Sequence, residues 1–536
     1  MGDQSYEQEV LKKTASTDLI SRRAFFERAT ALGVSIAAAS AIWNEAEAST
    51  PKKGGTLRIG TDGGATTDSF DSRVTISTNH ITAAQWSVYE RLTYLDEKGA
   101  PQPQLAESWE TNADASVWRF QIRKGVEFHN GKTLTPQDVV ASFAYVGSEE
   151  TKAADPKKIV GRIKEMKVDG NAVVMDIGES DADWPIIMSS SGLLVAPEGT
   201  AGDQWDQSGN GTGPYVLKDF EPGVRIRGEK NPNYYNDGEA HFDAFNSLNI
   251  ADAASRTSAL RTGDVDIITR PDTKTARRLG ETDGIHLVEG EGNLHYTAPM
   301  LADTAPFDDN NVRLALKHLM KRDELLQKIL SGFGYIGNDV PIGRGQQYYN
   351  DQLEQRVYDP DKAKFHLKKA GMSNLNVTLS AGADAPFPGA VDTATLMSEW
   401  AKPAGVTINI ERTPSDGYWS DVWLKKPWCL AYWSGRPTVG QMISAAYTSD
   451  TAWNDGKWKN ERVDELNRMA RSELDNSKRQ EMYFEIQRII HEEGSVIIPV
   501  FGSFLHAASD NLGHPKFRGK RYLDNYAITR TGWFKS

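Results

Sequence analysis

The hydrophobic pattern changes its period part-way along this chain, and that change limits the fold more than any single motif does. From Gly54 to about Ile250 the apolar residues alternate or fall in short runs broken by turns, which predicts strands and hairpins with occasional helices. Gly54 to Gly60 is a short opening strand. Trp118, Phe120 and Ile122 alternate with Arg119, Gln121 and Arg123, the mark of a half-buried strand. Val168-Asp169-Gly170-Asn171 before Val173-Val174-Met175 is a hairpin with Asp-Gly at its tip. Thr135-Pro136-Gln137-Asp138 starts a helix, with a hydroxyl cap, Pro at the first position and an acid in the first turn. Val139, Val140, Phe143 and Val146 give that helix its buried face.

Beyond residue 300 the period becomes helical. Val312, Leu316, Leu319, Leu326 and Leu330 approximate one helical face, broken near Arg322-Asp323, where a second helix begins. Asp359-Pro360 to Ala370-Gly371 is a helix with both ends written in the sequence. Val377-Thr378-Leu379 and Val406 to Ile410 read as strands flanking a helix with Leu396, Met397 and Trp400. Met482, Ile486, Ile489 and Ile490 mark a long helix, and Val496 to Phe501 returns as a buried strand. With 536 residues, more than one lobe is expected. The pattern predicts two α/β lobes, the first richer in hairpins.

Charge and cysteine content remove several classes of function. Lys+Arg 61 against Asp+Glu 73 gives a net charge of -12, which repels a phosphate backbone and argues against nucleic acid as a partner. Cys429 is the single cysteine, and no two of the 10 His fall three or four residues apart. Thiolate metal sites, iron–sulfur clusters and an intrachain disulfide are thereby excluded. No cofactor and no metal site is expected.

The N-terminus reads as an address. Ser21-Arg22-Arg23-Ala24-Phe25-Phe26 precedes an apolar, small-residue run from Ala29 to Trp43, and Ala46-Glu47-Ala48 follows as a cleavage site. The run is shorter than the ~20 residues of a membrane span. The paired arginines before an aromatic resemble a twin-arginine signal, with Phe26 and Glu27 departing from its usual end. Residues 1–48 are therefore expected to be a removable leader, and the mature protein to be periplasmic.

Enzymatic motifs are missing. Gly125 to Gly131-Lys132-Thr133 has five residues between its glycines where a P-loop has four, so a hairpin turn is expected there. Gly209, Gly211 and Gly213 lead into Pro214-Tyr215, a strand entry rather than a dinucleotide-binding turn. There is no G-x-S-x-G and no H-E-x-x-H, and the chain is not expected to be an enzyme.

An aromatic cluster stands out instead. Tyr418, Trp419, Trp423, Trp428, Tyr432 and Trp433 are close in sequence, and Trp453 and Trp458 follow. Such side chains either fill a core or stack on a ligand. Trp433-Ser434-Gly435-Arg436 is the stronger candidate for ligand contact, because a guanidinium there binds a carboxylate in a way that Lys does not match.

Several segments together resemble the extracytoplasmic solute-binding proteins, family 5, of peptide/nickel-type ABC importers. They are Leu105 to Glu110 leading to Trp118–Gly131 and Thr135–Phe143; Gly211 to Tyr215; Asn231 to Tyr235; Ala259 to Asp266; and Phe307 to Gly334. The resemblance implies a two-lobed periplasmic-binding-protein fold, type II, with an extra subdomain in lobe one and a two-strand hinge. Lobe one would take residues 49–297 plus 500–536 and lobe two 298–499, with crossovers near Leu294–Met300 and Val496–Phe501. A peptide or small molecule would be enclosed between the lobes and passed to ABC permease subunits by a monomeric binding protein.

The resemblance also implies a ligand site at Trp433, Ser434, Gly435 and Arg436, with Tyr418, Trp419 and Asp71 nearby. Peptide binders of the family usually carry an Asp for the ligand's amino group where this chain has Trp433 to Thr438 and no acid. Asp416 or Asp421 would have to substitute, and Phe70-Asp71-Ser72 replaces the usual Leu-Asp-Pro. If a ligand carboxylate does not pair with Arg436, a structural Asp or Glu of the opposite lobe, such as Asp71, is expected to. Opines, modified peptides, oligosaccharides and other small organic solutes stay open, as does a ligand sensor of the same fold.

Overall fold

The computed structural model of the chain describes Ala29 and residues 51–74, 78–96, 99–382, 385–414, 417–515 and 521–535. Arg22, Arg23 and the rest of the expected leader apart from Ala29, together with Asp416, lie outside the described residues.

A nine-stranded sheet runs through the whole molecule. In chain order its strands are β1 (Thr56–Thr61), β2 (Tyr215–Glu221), β3 (Arg225–Lys230), β4 (Ala244–Asn249), β5 (Ile267–Thr269), β6 (Ile285–Pro299), β7 (Gly334–Ile336), β8 (Ala431–Trp433) and β9 (Val496–Ser509). Across the sheet they lie in the order β8-β6-β9-β5-β1-β4-β3-β2, with β7 also on β9. β1 is parallel to β4 and β5, while β9 is antiparallel to β5, β6 and β7.

β6 and β9 join the lobes. Near Ala507 their neighbour is β5 of the first lobe; near Phe501 and His295 their neighbours are β7 and β8 of the second. The resemblance placed the crossovers near Leu294–Met300 and Val496–Phe501, and both strands extend beyond those segments. Glu289, Gly290, Glu291 and Gly292 look like loop residues. Their strand is held instead by the β9 ladder, which runs from Ile285↔Ser509 to Pro299↔Val496 and slips between Gly290 and Leu294.

The cores are separate. Leu57, Ile59, Tyr89, Trp205 and Phe245 share one cluster in lobe one, and Trp118, Phe120, Phe143 and Trp184 share another in its subdomain. Lobe two has its own pair, one around Leu316, Met397 and Trp428 and one around Tyr483, Ile486 and Ile498. The subdomain sheet orders its strands Ala106–Thr111, Val117–Ile122, Ala172–Asp176 and Glu165–Asp169, and buries Trp118, Phe120 and Ile122 as the alternation predicts. The Thr135 helix spans Pro136–Val146, with Asp138 accepting from the Thr135 N–H at 2.9 Å. The other glycine motifs are turns: Phe128 N–H donates to Lys132 O, and Gly211 and Gly213 press so closely on Ser87 and Val88 that a side chain would collide with backbone.

The lobes also meet away from the hinge. Asp181 and Asp183, which follow the subdomain strand Ala172–Asp176, face the helices Glu461–Ser472 and Asn476–Glu493 of lobe two. Asp183 pairs with Arg479, their side chains 3% and 6% exposed. Arg471 reaches Asp181 at 3.4 Å, and Ala182 N–H donates to Arg471 O at 2.7 Å. The lobes are thus joined at two places, the hinge strands and this seam.

Candidate functional site

The candidate site grows from the edge strand β8. Its residues pair with β6 as His295↔Trp433, Tyr296↔Tyr432 and Thr297↔Ala431, so Tyr432 and Tyr296 share one face of the sheet. Tyr432 is exposed while Ala431 and Trp433 are buried. Tyr296 stacks on Phe387 with ring centroids 3.9 Å apart. Burial pushes the Tyr296 hydroxyl up to about 12, against the pull of the Arg270 charge. Arg270 lies in lobe one, ion-paired to Asp62 at 3.0 Å and packed over Tyr522. That face of β8 and β6 therefore looks across at lobe one.

After Trp433 the chain turns sharply. Gly435 has φ +79°, and a Cβ there would stand 2.4 Å from the Asn293 side chain, so only glycine fits. Ser434 is exposed. Arg436 O accepts from Gln346 Nε2 at 2.9 Å, and Thr438 Oγ1 caps the next helix, Val439–Ala446, by accepting from Gln441 N–H at 3.1 Å. The turn is thereby fixed at both ends.

The Arg436 guanidinium lies 5.3 Å from the Trp433 ring centre and donates to Gly435 O at 3.1 Å. Among the described residues no carboxylate forms an ion pair with it. Burial draws its pKa down, Asp155 of the subdomain helix Ala154–Val160 opposes that from a distance, and Arg521 adds repulsion.

The aromatic cluster divides between core and surface. Trp428 and Trp458 are core residues. Tyr418, expected at the ligand, is buried, and its hydroxyl donates to Leu430 O at 2.8 Å. It faces inward because the turn Tyr418–Asp421 packs it on Val422 and Cys429. Trp419, Tyr432 and Trp453 are 44%, 39% and 51% exposed. Trp419 touches Tyr432 at 5.7 Å and Trp423 at 5.8 Å, while Trp453 lies 6.1 Å from Trp433. These rings wrap the open edge of β8 and end at Arg436.

Asp71 is not brought to Arg436. Its carboxylate accepts from Tyr145 OH at 2.9 Å and from the Arg73 N–H at 2.8 Å, and the Arg73 guanidinium is 3.6 Å away. A cation two residues along already satisfies it. Asp421 is exposed at the end of its turn. No local pattern in the sequence points to Tyr296, Phe387, Arg270, Tyr522 or Asp155 at the site. The left-handed φ of +48° at Arg270 is the one local oddity among them, and only the backbone reveals it.

Among the described residues no helix is long and apolar enough to cross a membrane, and no group of three or more His, Cys, Asp or Glu is placed to hold a metal. Residues 100–455 match the family model of bacterial extracellular solute-binding proteins, family 5, middle region. The chain belongs to that family. Among family relatives, heme-binding protein A of Haemophilus influenzae is 26% identical over 464 residues, covering 79% of this chain and 83% of its own. Di/tripeptide-binding protein 1 of Pseudomonas aeruginosa is 27% identical over 466 residues, covering 79% and 85%. The solved structure of HbpA2 from Haemophilus parasuis has TM-score 0.78 at 19% identity, covering 90% of this chain and all of that one (100%). The two-lobed binding-protein fold and an extracellular solute-binding role follow from this membership.

Proposed function

We propose that the chain is the solute-binding component of an ABC importer and captures a peptide or peptide-like solute through a free carboxylate. The observation that carries this reading is Arg436, a half-buried cation over the Trp433 ring, which the exposed Trp453 also touches, with no carboxylate paired to it among the described residues. Arg436 and a ligand carboxylate would pair when the lobes close, while Trp419, Tyr432 and Trp453 would cover the ligand's side chains. The named ligand class of the Pseudomonas relative supports a peptide. The absence of an acid between Trp433 and Thr438 favours a second reading, a non-peptide organic acid such as an opine. In this proposal residues 1–48 are a twin-arginine leader, lobe one is 49–297 plus 500–536, and lobe two is 298–499. The mature monomer works in the periplasm, hands its ligand to the permease and leaves it chemically unchanged.

Mass spectrometry of what co-purifies from the native exporting cell identifies the solute. Calorimetry with the tripeptide Ala-Phe-Ala, its C-terminal amide and its N-acetyl form then separates the readings. Arg436→Ala is expected to weaken binding of the free acid by about 2–5 kcal/mol and to leave ligand-free stability little changed. Equal binding of acid and amide would remove Arg436 from the site. For export, Arg22→Lys with Arg23→Lys is expected to hold the precursor in the cytoplasm, and normal periplasmic accumulation would point to the general secretory route.

A further inference from the structure

Behind the exposed rings lies a carboxylate that the proposed carboxylate capture does not use. Asp455 is 1% exposed. Its Oδ1 accepts from Trp423 Nε1–H at 2.8 Å, and its Oδ2 accepts from Trp433 Nε1–H at 2.6 Å. These indoles are the groups that hold its charge, and no cation joins them among the described residues. A buried carboxylate with no cation costs several kcal/mol, so the local chemistry must require it.

The requirement is visible in the donors. Two N–H groups reach the side chain, one at each oxygen. A carboxylate accepts both; an asparagine would set its own NH2 against one indole. The carboxylate is also fixed in place independently of the rings. Gly456 O accepts from Ala302 N–H at 2.7 Å, and Asn454 Nδ2 donates to Trp458 O at 2.6 Å and to Thr448 O at 3.2 Å. From this anchor the contacts run outward: Trp423 carries Trp419 and Trp453, and Trp433 carries Trp453 and the Arg436 guanidinium.

We propose that Asp455 is a positioning residue for the binding surface: as a carboxylate it locks Trp423 and Trp433 by their N–H groups, and on taking up a proton it releases one of them. That this surface meets ligand rests on the proposed function; the lock itself does not. Burial pushes the Asp455 carboxyl up to about 7, against the two indole hydrogen bonds that hold it down, so the switch falls near neutral pH. The titratable groups facing it are the Cys429 thiol and the Tyr447 hydroxyl, both buried and pushed up, hence neutral in this range. Lys457, two residues on, points to Asp303 at 3.4 Å. The Tyr447 hydroxyl has no hydrogen-bond partner among the described residues. Protonation puts an O–H donor where an acceptor is needed, so one indole loses its partner below the switch and regains it above.

The test is a pH titration of the mature, ligand-free protein by near-ultraviolet circular dichroism and tryptophan fluorescence. Wild type is expected to show a transition with its midpoint near pH 7, and Asp455→Asn to show none while still unfolding cooperatively on heating. A flat wild-type titration, or the same transition in Asp455→Asn, overturns the proposal. Should Asp455→Asn not fold, Trp423→Phe and Trp433→Phe decide. Each removes one N–H from the charged form and should raise the midpoint by about one pH unit; an unmoved midpoint overturns the lock. With Ala-Phe-Ala as probe, wild-type affinity should be roughly tenfold weaker at pH 5.5 than at pH 8 if one charge-assisted hydrogen bond is lost. If the probe fails to bind at any pH, the peptide reading fails, and the spectra still judge the lock.

Discussion

At the hinge the lobes are joined by main chain: β6 and β9 exchange hydrogen bonds from Ile285 to Pro299 and carry the sheet from one lobe into the other. At the seam they are joined chiefly by side chains, with Asp183 on Arg479 and Asp181 on Arg471, and by the backbone hydrogen bond from Ala182 N–H to Arg471 O. Backbone ladders persist whatever the side chains, so the hinge bends without parting. The seam contacts exist in one lobe arrangement only. When the cleft opens, these contacts part and both charges return to water, so the seam favours closure by what pairing gains over desolvation. A ligand therefore has help from the seam in closing the lobes but none from the hinge, which is indifferent to their angle.

Breaking each contact should give distinct results. Val500→Pro is expected to do the most damage. Val500 is fully buried between Tyr296 of β6 and Ile336 of β7, and proline in an interior strand removes a ladder hydrogen bond. No soluble folded protein should be recovered; a folded, ligand-competent Val500→Pro protein would mean the ladder is not what joins the lobes.

Asp183→Ala should leave folding intact and disfavour the closed form by about 3–5 kcal/mol, the range for stranding one member of a buried pair. Small-angle scattering of the ligand-free variant should give a larger radius of gyration than wild type, with far-ultraviolet dichroism unchanged. An identical scattering profile would show that the seam does not hold the lobes.

Arg471→Ala should act in the same direction and less strongly. Arg471 is 27% exposed and reaches Asp181 at 3.4 Å, while Arg162 also pairs with Asp181 at 2.6 Å. The expected shift is below about 1 kcal/mol. A shift as large as that of Asp183→Ala would make Asp181 the main contact instead.

Legibility in the sequence follows the same division between local and distant. Helix ends were readable because their causes are neighbours: Asp359 accepts from Asp361 and Lys362 N–H, and the helix Pro360–Lys369 stops before Gly371 at φ +75°. Strand Val117–Ile122 was readable because its burial alternates. The N-terminal half of β6 was not, since Glu-Gly-Glu-Gly has no strand preference and a partner more than two hundred residues away imposes the ladder. At the site, Trp433 to Arg436 was visible as a cluster in one turn. Arg270, Tyr522 and Asp155 arrive from remote segments with no local mark. Tyr418 and Trp419 could not be told apart by type; a single helical turn sends one inward to Leu430 O and leaves the other at the surface.

The place of β9 in the sheet bears on how the chain is made. It lies between β6 and β5 and also supports β7, yet it begins only at Val496. A ribosome working at about 5–20 residues per second finishes β6 roughly 10–40 s before β9 emerges. Through that interval β5 and β6 present bare strand edges, the kind that pair with other chains. Folding therefore ends with insertion into the middle of a waiting sheet. A chain cut before Val496 leaves both lobes incomplete, however much of each has been synthesised.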